Sequence, residues 1–249
     1  MEPKYNLDKI KYGTDEPTWY RAIGLYKKNK VKQFEELADG FSAVVKGTSD
    51  YQVFVSAKHY DHGSCECYLG QNDTLCKHMV AVAMYAVKRG SEISREEETQ
   101  NNVASFSGRI EKLSEAELEV VKRDFLEALR HIKAYTGPSK HWFAYQNSLD
   151  EGCNRMANTV SKLPASPESA ELLVNLLLQL DKKLVRGGVD DSDGTVGNFI
   201  ADSAAVLEKF VEADSECVKA FTKLRDIETC FGWEEPLVKL YDETLSKRG

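Results

Sequence analysis

Residues 65–78 read CECYLGQNDTLCKH and contain three cysteines and one histidine. Cys65 and Cys67 are two positions apart, so both thiols point to the same side of an extended chain. Cys76 and His78 are also two apart, and two residues turn a helix by about 200°. The spacing therefore places Cys76 just before a helix and His78 in its first turn. Three thiolates and one imidazole make a closed tetrahedral set, which is typical of one structural Zn²⁺ ion.

Two alternatives to this ligand set stay open at the level of sequence. The three thiols could be incidental neighbours of a histidine, and His59 and His62 could compete as ligands. Both halves of the CxC…CxH pattern have metal-ligand spacing, however, and the set of four is complete without the two loop histidines. The segment between Tyr68 and Leu75 has too little apolar content to fold unaided, so the metal ion would supply its folding free energy.

The flanking sequence predicts a small antiparallel β-meander followed by a helix. Turn signals at residues 38–40 and 47–50 separate FSAVVK from YQVFVSA, and apolar residues alternate with polar ones in the second run. The meander is expected over about residues 31–57. The helix is expected over about residues 75–88, with Gly90 just past its end, where helices favour glycine.

The second half of the chain has a helical apolar period throughout. Ser114 and Glu117 form a capping box, a second helix is expected to begin near His141, and Pro167 suits the first position of a third. The polar, acidic residues 94–105 are expected to form a linker. The sequence thus predicts an α+β fold with a zinc domain over residues 1–93 and an all-α domain, an antiparallel bundle or a short helical repeat, over residues 106–249.

Composition and charge argue against a membrane protein and against a disulfide-dense secreted protein. The chain has 249 residues and a net charge of −7. Residues 1–90 carry 13 basic and 11 acidic side chains, whereas residues 91–249 carry 20 and 29, so any affinity for nucleic acid is expected in the first part. No apolar run reaches the ~20 residues of a membrane span, and no secretory signal is apparent. Because six cysteines are too few for a disulfide-dense secreted fold, we expect a cytoplasmic protein without a membrane partner.

Seven basic residues form the candidate nucleic-acid surface. They are Lys27, Lys28, Lys30, Lys32, Lys77, Lys88 and Arg89. We interpret them as phosphate contacts, with a solvated charged edge that keeps the strands from pairing with other chains as the alternative. Phe34, Tyr51 and Phe54 could stack bases, although aromatic residues at strand spacing more often belong to a core.

A loop rich in aspartate precedes a helix in the second half. Asp190, Asp191 and Asp193 are spaced as in a calcium-binding loop. Such a loop needs an acidic residue at its first position and a glutamate at its twelfth, where this chain has Val189 and Ile200. We therefore interpret the loop as an acidic turn in which Asp193 caps the following helix.

The CxC…CxH pattern, with a strand pair before it and an apolar helix after it, resembles the SWIM zinc finger. The family's V-x-G-[ST]-x-x-Y-x-V pattern corresponds to VKGTSDYQV at residues 45–53, and its helix starts with the same CKH. The resemblance covers about residues 18–90. The family's zinc ligands fall on Cys65, Cys67, Cys76 and His78. Tyr68 stands where a common prokaryotic pattern has proline, which affects the turn and not the ligands.

This resemblance implies a stand-alone protein of the prokaryotic type, with a helical C-terminal region that carries an acidic loop. It implies binding to DNA or to protein partners, and no reaction. The sequence has no nucleophile elbow, phosphate loop, HExxH or paired-carboxylate pattern, so we expect neither an enzyme nor a small-molecule substrate. The leading hypothesis is a zinc-stabilised adaptor that contacts nucleic acid through the N-terminal domain and a protein partner through the helical domain. The alternative is a pure protein–protein scaffold with no nucleic-acid role.

Overall fold

The structure, a computed structural model, describes residues 1–138 and 142–246. The chain divides into two units, Met1–Gln100 and Asn101–Gly249. A small antiparallel sheet lies in the first unit and helices dominate the second, which confirms the expected α+β class. His141, the expected start of a helix, lies outside the described residues. Among the described residues, no helix is both long and apolar enough to cross a membrane.

The first unit is built from four strands and several helices. In chain order they are α1 (Leu7–Tyr12), α2 (Glu16–Lys27), β1 (Val31–Glu36), β2 (Gly40–Lys46), β3 (Asp50–Ser56), β4 (Gly63–Cys65), α3 (Tyr68–Gln71), α4 (Lys77–Lys88) and α5 (Arg95–Glu98). The strands pair antiparallel in the order β1-β2-β3-β4, which is the expected meander with one further strand. That fourth strand ends at Cys65 and so joins the cysteine segment to the sheet.

Helix α4 is the centre of the first core. It contacts α2 as well as strands β2 and β3. Because it packs against a helix and a sheet, residues from His78 to Met84 are all buried, as is Ala86. The sheet contributes Val53 and Val55, which alternate with more exposed residues as the sequence predicts.

Strand β1 contains a bulge that redirects its aromatic residue. The register with β2 shifts between Lys32 and Glu35, and Gln33 has a positive φ of 47°. A bulge adds one residue to one strand and turns the following side chains to the other face. Phe34 therefore joins the core, where its ring lies 5.6 Å from the ring of Phe41, and is not free to stack on a base.

The boundary between the two units lies inside the stretch expected to be a linker. The first residues of that stretch instead pack on the first unit, because they form hydrogen bonds with it both as acceptors and as donors. The indole N–H of Trp19 donates to the carbonyl of Glu98 at 2.8 Å. The side chain of Gln100 donates to the carbonyl of Lys11 at 2.8 Å.

The second unit consists of helices around a separate core. They are α6 (Glu115–Leu129), α7 (Trp142–Val160), α8 (Pro167–Arg186), α9 (Thr195–Ala213), two 3₁₀ segments (Ser215–Leu224 and Cys230–Gly232) and α10 (Glu235–Ser246). The capping box of Ser114 and Glu117 begins α6, and Pro167 occupies the first turn of α8, as the sequence predicts. Large buried side chains such as Leu173, Phe210 and Phe221 fill this core.

Candidate metal centre

Four side chains that could hold a metal ion meet where β4, α3 and α4 come together. Cys65 is the last residue of β4, Cys67 is the N-cap of α3, and Cys76 is the N-cap of α4. His78 lies in the first turn of α4, so the helix begins where the CxH spacing places it. The four ligand atoms all lie within 4.8 Å of one another.

The imidazole of His78 presents its Nδ1 atom to the sulfurs. This nitrogen lies 3.6 Å from the Sγ of Cys65 and 3.9 Å from the Sγ of Cys76. The ring of Tyr51 stacks on one face of this imidazole, with centroids 4.5 Å apart and planes inclined by 27°. Tyr51 therefore packs one face of its ring against the histidine of the candidate metal centre.

Gly47 makes room for this stacked pair. A Cβ atom at Gly47 would lie 3.1 Å from Cε2 of Tyr51 and 3.5 Å from Nε2 of His78. The first distance is shorter than ordinary van der Waals contact, so a larger residue would push the ring of Tyr51, which stacks on His78. Gly47 and Tyr51, the glycine and the tyrosine of the SWIM-like pattern, thus both help to position His78, the candidate histidine ligand.

Backbone N–H groups point at two of the sulfurs. The N–H of Cys67 donates to Sγ of Cys65 at 3.5 Å, and the N–H of Gly70 donates to Sγ of Cys67 at 3.4 Å. Hydrogen bonds of this kind stabilise the charged form of an acceptor. Gly70 also packs tightly, because a Cβ there would lie only 2.4 Å from the carbonyl oxygen of Cys65.

The centre is buried and its thiols are electrostatically coupled. Cys65, Cys76 and His78 are each no more than 5% exposed. The hydrogen bond between the two thiols lowers the pKa of Cys76 to about 4, with His78 contributing in the same direction, and raises the pKa of Cys65. A lowered pKa favours the thiolate form of Cys76, which is the form that binds a cation.

His59 and His62 lie outside this group. Among the described residues, the Cys₃His set is the single cluster of three or more His, Cys, Asp or Glu residues with such close ligand atoms. The two loop histidines face each other instead, with ring centroids 4.8 Å apart. They are exposed, whereas all four members of the Cys₃His set are buried.

The seven candidate phosphate-binding residues do not form a single free patch. Three of them pair with carboxylates: Lys27 with Glu98, Lys88 with Glu97 at 2.9 Å, and Arg89 with Glu36 at 2.7 Å. Each of these must give up an ion pair before it can contact a phosphate. The other four, Lys28, Lys30, Lys32 and Lys77, form no ion pair within the described part of the chain.

Three lysines lie together on the sheet face turned away from α4, two of them from the candidate set and one, Lys46, from outside it. Alternate residues of β2 are buried toward the core, so Lys46 lies on the opposite, open face. Lys32 pairs with Val44 on that same face, and the N–H of Lys46 donates to the carbonyl of Lys30 at 3.0 Å. The sequence analysis missed Lys46, although the alternation in residues 40–46 contains the signal.

Phe54 lies on the same open face, between serines of two neighbouring strands. It pairs with Ser42 of β2 and with Ser64 of β4. Its ring covers Gly40, since a Cβ there would lie 2.7 Å from the ring atoms Cε2 and Cζ. Phe54 and the two serines line a shallow groove of about 440 Å³, to which Glu66 and Gln71 also contribute.

The acidic loop of the second unit caps helix α9. The carboxylate of Asp191 accepts hydrogen bonds from the N–H groups of Val196, at 2.7 Å, and Gly197, at 2.8 Å. Asp193 accepts one from the N–H of Thr195 at 3.2 Å. The loop therefore has the capping role that the sequence predicts, but Asp191 makes more of the bonds than the expected Asp193.

The Cys₃His centre and the open sheet face are the features on which a function can be argued. The centre could hold a metal ion through four protein ligands. The face carries lysines at one end and the partly exposed ring of Phe54 further along. The chain matches no family model, no curated protein and no solved structure.

Proposed function

We propose that the chain is a non-catalytic adaptor whose zinc-stabilised N-terminal unit binds single-stranded nucleic acid and whose acidic helical unit binds a protein partner. The observation that carries the proposal is the buried Cys₃His set. Four protein ligands fill the tetrahedral shell of Zn²⁺ and leave no position for a substrate or a reactive water, which is the arrangement of structural zinc sites.

The geometry and chemistry of the ligands fit zinc. With bonds of about 2.3 Å to sulfur and about 2.1 Å to nitrogen, sulfur and nitrogen ligands of a tetrahedral zinc ion lie about 3.6 Å apart. Nδ1 of His78 lies 3.6 Å and 3.9 Å from its two sulfur neighbours. Thiolate with imidazole is also a donor set that favours zinc over calcium or magnesium.

Zinc here would hold the sheet and helix α4 in place for binding. Cys65 belongs to β4, while Cys76 and His78 belong to the start of α4. One ion thus ties the last strand to the central helix of the unit. The SWIM resemblance supports the same interpretation, because that family's modules are associated with DNA or protein binding.

The open sheet face is the surface that we assign to nucleic acid. Lys30, Lys32 and Lys46 lie together at one end of it, and none of them forms an ion pair with a described residue. Phe54 lies further along the face with hydroxyl groups on either side. Cationic side chains that contact the backbone and aromatic rings that stack on bases are the usual combination at single-strand binding sites.

The dimensions of the groove favour a single strand over a duplex. A groove of about 440 Å³ beside Phe54 has room for an unstacked base, whose edge Ser42, Ser64 and Gln71 could bind by hydrogen bonds. Bases in a duplex are stacked on each other and do not offer a free face to an aromatic side chain.

Fluorescence anisotropy with labelled single-stranded and double-stranded DNA tests the proposal on zinc-loaded protein at two salt concentrations. We expect preference for the single strand and weaker binding at higher salt. Lys32→Ala should reduce the slope of log K against log salt by about 0.7. Lys27→Ala is the matched control, because Lys27 is already paired with Glu98 and should leave the slope unchanged.

A protein–protein scaffold without a nucleic-acid role is the second candidate function. It is favoured by the charge of the second half, where 29 acidic residues outnumber 20 basic ones over residues 91–249. Such a surface repels nucleic acid and attracts basic proteins. Absence of DNA binding at low salt in zinc-loaded protein would contradict the adaptor and support the scaffold.

A further inference from the structure

We infer that His59 and His62 form a second metal site, exposed at the surface, for one divalent transition-metal ion. The two imidazole rings lie side by side, with centroids 4.8 Å apart and planes inclined by 36°. Both side chains are exposed. This site is separate from the Cys₃His centre, which does not include either histidine, and the inference does not depend on nucleic-acid binding.

The backbone turn holds the two rings together. The N–H of His62 donates to the carbonyl of His59 at 3.0 Å, as in a β-turn, where the first and fourth residues come close. The carbonyl of His62 in turn accepts a hydrogen bond from the N–H of Ser56 at 2.8 Å, which fixes the turn to the end of β3.

Tyr60, one of the two residues between the histidines, fixes the turn to the core. Tyr60 is only 4% exposed, and its hydroxyl donates to the carbonyl of Gly13. Its ring also packs edge-on against Tyr5, at a centroid distance of 6.0 Å. Because these contacts fix the turn, an ion that binds it does not have to order the backbone, and this favours binding.

The separation of the rings suits two ligands of one ion. A metal–nitrogen bond of about 2.0–2.1 Å places the centre of each ring about 3.2 Å from the ion, so ligand angles of about 90–110° separate two ring centres by about 4.5–5.2 Å. The observed 4.8 Å lies in this range. Neutral imidazole is a ligand for Zn²⁺, Cu²⁺ and Ni²⁺, whereas Mg²⁺ and Ca²⁺ prefer oxygen.

Two protein ligands leave the remaining positions of the ion to water. The site is therefore expected to bind more weakly than the Cys₃His centre and to exchange its ion with solution. Asp61 lies between the two histidines and is also exposed, and its carboxylate adds a negative charge that attracts a cation.

Isothermal titration of the zinc-loaded full chain with NiCl₂ tests the inference. We expect one additional equivalent of nickel in the wild type and its loss in both His59→Ala and His62→Ala. Lys58→Ala, which changes an exposed neighbour in the same loop, should retain it. The zinc content of each variant, measured alongside, should equal that of the wild type, because the exposed imidazoles are not part of the buried centre.

Three outcomes would overturn the inference. The first is the absence of a nickel equivalent in the wild type. The second is an equivalent that persists in both histidine variants. The third is nickel uptake accompanied by release of zinc and by thiolate–nickel absorbance, which would place the nickel ion in the Cys₃His centre.

Discussion

The ring of Tyr51 stacks on the ring of His78, with centroids 4.5 Å apart and planes inclined by 27°. One side chain comes from strand β3 and the other from the first turn of helix α4, so this contact lies beside the metal centre and supports the histidine ligand. The hydroxyl of Tyr51 also lies 3.0 Å from that of Thr48, which fixes the ring to the β2–β3 turn.

Replacing Tyr51 should weaken metal binding without removing a ligand. Aromatic stacking contributes about 0.5–1.5 kcal/mol beyond area burial, so Tyr51→Ala should lower zinc affinity by about 2- to 13-fold. Competition with a chromophoric chelator measures this change. Tyr51→Phe is the control, since it keeps the ring and loses only the contact with Thr48; equal affinity in Tyr51→Ala and wild type would show that the stack does not support His78.

Gly70 should tolerate no side chain. A Cβ at this position would lie 2.4 Å from the carbonyl oxygen of Cys65, and moving the backbone away would lengthen the N–H···S bond to Cys67. We expect Gly70→Ala to lower the free energy of unfolding of the first unit by about 1–3 kcal/mol and to lower zinc affinity. Gly24→Ala is the matched control, because Gly24 lies in α2 and no described atom beyond its chain neighbours and its own helix backbone lies within 4 Å of its Cβ position.

The sign of the effect should differ between the two glycine variants. Alanine is favoured over glycine in a helix interior by about 0.5–1 kcal/mol, so Gly24→Ala should be neutral or stabilising. Urea denaturation followed by circular dichroism measures both variants. Destabilisation of the two by the same amount would mean that the tight approach of Gly70 to Cys65 has no special role.

Removal of the metal should affect the two units differently. The Cys₃His ligands all belong to Met1–Gln100, whereas Asn101–Gly249 has a separate apolar core. Structural zinc contributes about 10 kcal/mol or more to the folding of small modules, so EDTA should remove hydrogen-exchange protection from α4 and leave that of α8. Unchanged protection in α4 after complete zinc removal would contradict a structural role of the ion.

Asp191 should be the residue of the acidic loop that matters most for stability. Its carboxylate accepts two backbone N–H groups at the start of α9, while Asp193 accepts one. Loss of an N-terminal cap costs about 0.5–2 kcal/mol, so Asp191→Ala should destabilise the second unit more than Asp193→Ala does. Chemical denaturation measures both variants, and the reverse order would assign the main cap to Asp193.

The pH dependence of this loop has a definite sign. Burial, with smaller contributions from the neighbouring aspartates, raises the pKa of Asp191 above its usual 3.8. A raised pKa means that the native state holds this proton more tightly than the unfolded state, so its contribution to stability is present below pH 3.8 and is lost as pH rises through the raised pKa. Asp191→Asn keeps one acceptor oxygen but does not titrate, so its stability should not fall over this pH range. If the free energy of unfolding of the wild type and of Asp191→Asn depended on pH in the same way, Asp191 would not be the source of the loss.

Local spacing made much of the first unit predictable. The CxC and CxH pairs indicated a strand end and a helix start, and the alternation in β3 indicated which side chains face the core; the structure has these features. The capping box of Ser114 and the proline at the start of α8 were equally local signals. Such features depend on residues within about one turn or one strand of each other, which a sequence displays directly.

Contacts between distant residues account for what the sequence analysis missed. Lys27 pairs with Glu98, 71 positions away, so its charge is not free for phosphate. Trp19 bonds the carbonyl of Glu98, which ties part of the expected linker to the first unit. The bulge at Gln33 directs the side chain of Phe34 toward the core, where it packs on Phe41. The polar composition of a segment does not indicate which of its backbone carbonyls will accept a hydrogen bond from a distant side chain.

We propose that Cys65, Cys67, Cys76 and His78 bind one structural zinc ion. The most direct test is the metal content of the purified full-length chain by mass spectrometry, compared with Cys76→Ser and, as the control, Cys153→Ser in the second unit. We expect one zinc ion per chain in the wild type and the control, and none in Cys76→Ser. A wild type without zinc, or a Cys76→Ser variant that retains a full equivalent, would contradict it.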